Sequence, residues 1–148
     1  MRLTDGGEGP QDSQLPAGQS LVRRWRVRMG TWGPGNFSDD IALDWLGGLV
    51  DDLVADIEKG MTRPEAVCGH ALTAQLEVLA LLCERLNAIP PKPDEIAAWR
   101  ETYLQTWETE IDDYDPDPEY KAKRREVIDL TFDRLATVAE RWHRAEGP

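Results

Sequence analysis

The chain has 148 residues, 17 Lys and Arg against 28 Asp and Glu for a formal charge of -11, and 41% hydrophobic residues. That is one domain's worth of sequence with apolar mass for one core, and its sign excludes nucleic-acid or anionic-membrane binding through a broad basic surface. Two cysteines cannot make a disulfide scaffold of the small secreted kind, so a cytoplasmic setting is expected, and no apolar run approaches the roughly 18 to 20 residues that span a bilayer.

The charge is uneven along the chain. Residues 1–28 carry five Arg against three acids, a net +2, which leaves -13 on the remaining 120 residues. The stretch from Asp5 to Ser20 is rich in Gly, Pro and polar residues and has too few apolar groups to offset its ordering entropy, so residues 1–28 read as a disordered extension or as sequence upstream of a natural start at Met29. Within it, Leu21-Val-Arg-Arg-Trp-Arg-Val-Arg28 lacks the apolar segment that an export signal needs after its twin arginines.

Regular structure is expected from Met29 onward, as a single helical domain over residues 29–148. A glycine-rich lead-in with Trp32 and Phe37 as apolar anchors reaches Ser38-Asp39-Asp40, a helix N-cap with acids in the first turn. Ala42, Trp45, Leu46, Leu49, Val50, Leu53, Val54 and Ile57 recur at helical spacing and predict an inward stripe, with Gly60 as the stop. Thr62-Arg-Pro-Glu65 has capping-box form and opens a second helix to about Asn87. That helix is apolar nearly all round, apart from a narrow stripe through His70, Thr73, Glu77 and Glu84, which predicts a central place flanked on both sides.

Ile89-Pro-Pro-Lys-Pro93 is a stiff connector, and Asp94 caps a third helix with its stripe on Ile96, Trp99, Tyr103, Leu104, Trp107 and Ile111. The acidic loop Asp112–Pro118 breaks it. Asp117-Pro118-Glu119 restarts a fourth helix to about His143, with Tyr120, Val127, Ile128, Phe132, Leu135, Ala139 and Trp142 facing inward. The expected fold is all-α, a four-helix, bundle-like domain.

Residues 29–45 read Met29-Gly-Thr-Trp32-Gly33-Pro-Gly35-Asn-Phe37-Ser-Asp39-Asp40-Ile-Ala42-Leu-Asp44-Trp45. This resembles the opening signature of a bacterial family, domain of unknown function 4259, in which Trp-Gly-x-Gly-x-Phe precedes an Asp-Asp-x-Ala-x-Asp segment. The resemblance implies a fold, an N-terminal motif at Trp32, Gly33, Gly35, Phe37, Asp39, Asp40 and Asp44, and a bacterial setting. It implies no mechanism.

The chemistry of those residues is accounted for by structure. The glycines allow close backbone approach, the aromatics plug one end of the helices, and the acids satisfy helix amides. A rival reading makes Asp40 and Asp44, four apart on one helix face, metal ligands together with His70 and Glu77, and so a metal-dependent enzyme. Glu-x-x-His, the helix pair of di-iron bundles, does not occur. In the acidic loop that Asp112 opens, the alternating acids Asp113, Asp115, Asp117 and Glu119 suggest a calcium loop, but Tyr120 occupies the place where an EF-hand needs Gly. Cys68 and Cys83 lie on an apolar helix at a spacing that suits neither redox nor zinc work.

These residues point away from catalysis and call for no cofactor. The leading expectation is an acidic interaction module whose loop at residues 112–119 and first-helix acids meet a basic protein partner. Immunity and antitoxin proteins are its analogues in charge and helicity. A homodimer served by the six Trp and the apolar second helix is a further reading.

Overall fold

The first helix starts where Ser38-Asp39-Asp40 places it. The Asp39 carboxylate accepts from the Ala42 amide at 3.0 Å, so one donor of the unsatisfied first turn has its partner. Helix α1 then runs Asp40–Met61. The computed structural model describes residues 33–147; the extension at 1–28, its arginine run and Trp32 lie outside the described residues. The chain falls into two units, one ending at Trp45 and one beginning at Leu46.

In the first unit the lead-in folds back on Ser38, whose amide donates to the Gly35 carbonyl at 3.0 Å. A Cβ on Gly33 or Gly35 would stand 3.2 or 3.1 Å from the Ser38 hydroxyl, which is the close approach the two glycines allow. Phe37 is half-buried, whereas Ile41 and Trp45 are exposed, Trp45 at 62%. The expected inward position of Trp45 is therefore corrected.

In the second unit α1 buries Leu46, Val50, Ile57 and Met61, and leaves Leu49 exposed against expectation. These four fall on one narrow line of the helix, and Leu49 lies to its side. Gly60 is not a stop. It is buried inside the helix, and a Cβ there would stand 2.9 Å from the Leu72 Cδ1, so the glycine admits a neighbouring helix.

The predicted second helix is two: α2 at Pro64–Cys68 and α3 at Ala71–Leu86. Gly69 turns extended between them, and its amide still donates to the Glu65 carbonyl at 3.2 Å. A Cβ at Gly69 would stand 3.0 Å from that carbonyl oxygen, so the break sits at the one residue lacking a Cβ. Pro64 opens α2, but the Thr62 hydroxyl donates back to the Lys59 carbonyl at 3.2 Å instead of capping. Asn87 ends α3 in the left-handed region, at φ 59°.

Helix α4 spans Pro93–Glu110. Its N-cap is Lys92, not Asp94, and the Lys92 amide donates to the Glu95 carboxylate at 2.8 Å. A 3-10 turn at Ile111–Tyr114 and Asp115 in the left-handed region lead to α5, Pro118–Glu146. Asp117 caps α5 by accepting from the Glu119 and Tyr120 amides at 2.8 and 3.2 Å.

Ion pairs and hydrogen bonds give the directions. Arg100 reaches Asp129 and Asp133, Arg125 reaches Glu108, and Lys121 reaches Asp112, so α4 and α5 are antiparallel. His70 meets Tyr120, Thr73 meets Arg124 and Glu84 meets Arg134, so α3 runs parallel to α5. Leu72, Leu76 and Leu79 of α3, Ile96, Tyr103 and Trp107 of α4, and Ile128, Phe132 and Leu135 of α5 make the core, with Tyr103 set edge-on to Phe132 at 5.6 Å.

Helix α3 is covered on one side only: Ala74, Val78 and Leu81 are exposed, which corrects its expected central place. Tyr120 and Val127 are exposed as well, because α5 buries the narrower stripe Arg124, Ile128, Phe132, Leu135 and Ala139. Among the described residues there is no β-strand, and no helix is long and apolar enough to cross a membrane.

Candidate functional site

The break between α2 and α3 leaves backbone carbonyls without helical partners, and side chains from α4 and α5 take them. The Tyr103 hydroxyl donates to the Val67 carbonyl at 2.6 Å. Arg124 Nη2 donates to the Thr73 hydroxyl at 2.6 Å and to the Gly69 carbonyl at 3.4 Å. Arg124 is only 7% exposed, and its Nε has no acceptor among the described residues. Its charge is held by neutral oxygens. Nearer the surface, the His70 ring stacks with that of Tyr120, with Nε2 at 2.9 Å from the hydroxyl.

Tyr103 and Cys68 are both pushed away from reactivity. Burial raises Tyr103 to about 12, outweighing the nearby Arg124. Burial, then the charges of Glu110 and Asp113, raise the Cys68 thiol, whereas a nucleophilic cysteine needs the opposite shift. Cys83 is raised to about 11 by burial and by Glu84. The cluster works as a clamp on the helix break.

Sequence reasoning missed Arg124, Tyr103 and Tyr120 as partners of this break. Two signals pointed to them: Gly69 interrupts an otherwise helical run, and Arg124 occupies a position on the buried stripe of its own helix.

The acidic loop divides into engaged and unengaged members. Asp112 pairs with Lys121 at 2.6 Å, Asp117 caps α5, and Glu119 pairs with Lys123 at 2.9 Å. Asp113 and Asp115 are exposed and make no ion pair among the described residues. Helix α1 differs. Asp40, Asp44, Asp51, Asp52, Asp56 and Glu58 are all exposed, and none pairs with a cation among the described residues.

Two of the proposed ligands of a metal, His70 and Glu77, have partners of their own. His70 contacts Tyr120, and Glu77 lies 3.9 Å from Arg134, seven residues and about two helical turns along the same helix. Among the described residues no group of three or more His, Cys, Asp or Glu side chains is placed to hold a metal ion.

The arrangement defines an all-α domain with an acidic helix whose exposed carboxylates pair with no cation among the described residues, and with a clamped helix break. The chain belongs to the family described as domain of unknown function (DUF4259), whose model matches residues 30–147. No curated protein and no solved structure matches it.

Proposed function

We propose that the domain is a non-catalytic interaction module of the bacterial cytoplasm that receives a basic protein partner on the acids of α1, with Asp113 and Asp115 of the loop as a further contact. One observation carries this reading. The exposed carboxylates of α1 have no intramolecular cation among the described residues, while Asp129, Asp133, Glu84 and Glu108 elsewhere in the fold are each held by arginine. Carboxylates left without partners keep their field for a partner molecule, speeding encounter and fixing orientation. Apolar residues exposed on the same helix, Trp45 and Leu49, supply contact area of the kind that anchors interfaces.

The test is capture of partners from lysate at low and at moderate salt, with the wild-type chain and with Asp51→Asn, Asp52→Asn and Asp56→Asn combined. A basic protein retained at low salt, released as salt rises and lost with the triple variant supports the reading. Absence of any salt-sensitive partner overturns it.

A further inference from the structure

We propose that the first turn of α3 and the Arg124 guanidinium form a binding site for a small tetrahedral oxyanion, a phosphate group. Three carbonyls of the helix break are taken: that of Val67 by Tyr103, that of Gly69 by Arg124, and that of His70 by the Ala74 amide at 2.9 Å and the Thr73 hydroxyl at 3.0 Å. The donors are not used up. His70, the N-cap of α3, makes no side-chain cap, and the amides of Ala71, Leu72 and Thr73 have no acceptor among the described residues. Such amides converge at the positive end of the helix dipole, where an anion is favoured.

Arg124 is the independent sign of a ligand. It is 7% exposed and forms no ion pair among the described residues. Both its bonds run from Nη2, to the Thr73 hydroxyl in the first turn of α3 and to the Gly69 carbonyl before it, so the guanidinium points at the helix N-terminus. Nε is buried with no acceptor, and Nη1 makes no bond among the described residues but is not sealed from solvent. A guanidinium carries five donors, and holding its charge out of water beside the positive end of a helix is unfavourable twice over. An anion seated between them offsets both.

The surroundings select the anion. His70 and Ala71 are exposed, Tyr120 is 43% exposed, and His70 Nε2 stands 2.9 Å from the Tyr120 hydroxyl, so the turn is reached from solvent past two further polar groups. Amides of one helical turn and a guanidinium from another helix approach from different directions, which suits an oxyanion with three or four oxygens better than a flat carboxylate with two. Glu110 and Asp113 act on Cys68, two residues before His70, and repel an extended polyanion. A single compact group fits.

Amide NMR of the isotope-labelled full chain, titrated with inorganic phosphate and separately with acetate at constant pH and ionic strength, tests this directly. The expected result is saturable shifts at Ala71, Leu72 and Thr73 with phosphate, and weaker binding of acetate. Arg124→Met should weaken phosphate binding by about tenfold, the effect of losing one charge-assisted contact. Because that variant touches the core, His70→Asp serves as the second. Its carboxylate takes the same amides as an N-cap, so phosphate binding should be lost while the thermal midpoint is kept or raised. Methyl phosphate separates the sources: binding like that of inorganic phosphate assigns the site to phosphate esters, and rejection assigns it to the free ion. No saturable shift, acetate bound as tightly as phosphate, equal shifts at the N-termini of α1, α4 and α5, or phosphate binding unchanged in His70→Asp overturns the proposal. The triple asparagine variant of α1 should leave phosphate binding intact, so this site and the partner surface fail independently.

Discussion

The hydroxyl of Tyr103 on α4 donates to the carbonyl of Val67 on α2 at 2.6 Å, with both residues fully buried. A helix end that its own backbone leaves unsatisfied is thus completed from 36 residues away. Tyr103→Phe keeps the ring against Phe132 and orphans the carbonyl, which is expected to cost about 1–3 kcal/mol in urea denaturation. A loss below the error of the measurement would mean that water takes the carbonyl instead.

The same burial sets an alkaline limit. The folded protein holds Tyr103 near 12 against an ordinary 10.0, and Cys83 near 11 against 9.0. Both values are raised, so above pH 9 the folded state keeps protons that the unfolded chain has released. The stability that these two groups contribute is complete below about pH 9 and is lost between about pH 9 and 12. Denaturation midpoints measured across that range should fall less steeply in the Cys83→Ala, Tyr103→Phe double variant than in the wild type. Equal slopes would refute the assignment.

Arg124 and Thr73 are a weak point of the core, because a buried guanidinium depends on one short bond to a hydroxyl and a longer one to the Gly69 carbonyl. Thr73→Val should cost about 1–3 kcal/mol, since the charge loses an acceptor and gains nothing. Arg124→Met removes the charge. If the clamp is as described, the double variant loses less than the sum of the two single variants, and an additive cycle would show that the groups are not coupled.

Glycines in α1 should respond with different sign. Gly48 is exposed, and a Cβ added there would meet nothing within 4 Å, so Gly48→Ala should stabilise by about 0.5–1 kcal/mol through helix propensity. At Gly60 the added Cβ meets Leu72, which is 1% exposed and has nowhere to move. Gly60→Ala should come out at or below wild type in thermal denaturation. A gain equal to that of Gly48→Ala would show slack around Leu72.

At the start of α5, Asp117→Ala removes the acceptor for two first-turn amides and should cost about 0.5–2 kcal/mol. Asp113→Ala in the same loop, where no such bond is made, should stay within the scatter of surface substitutions. Chemical denaturation of the two variants side by side separates capping acids from contact acids.

The candidate surfaces were partly legible. Alternating acids at residues 112–119 and the acids of α1 are plain in the sequence, but their division into paired and unpaired groups is not, because it depends on which lysine or arginine a neighbouring helix brings close. The exposure of α3 and α5 was hidden for a related reason. Val127 and Leu81 sit at spacings that also serve a core stripe, and periodicity cannot tell which of two apolar lines on a helix finds a neighbour.

By itself the sequence determined the helical class, the caps at Asp39 and Asp117, the prolines that open α2 and α5, and the family signature, since these depend on local backbone chemistry within a few residues. Only the tertiary structure decided that the helix breaks at Gly69, that Arg124 is buried, that Gly60 admits Leu72, and that Trp45, Leu81 and Leu130 face water. Each of those outcomes depends on the approach of residues distant in the chain, where burial and charge pairing are settled by neighbours that no local pattern names.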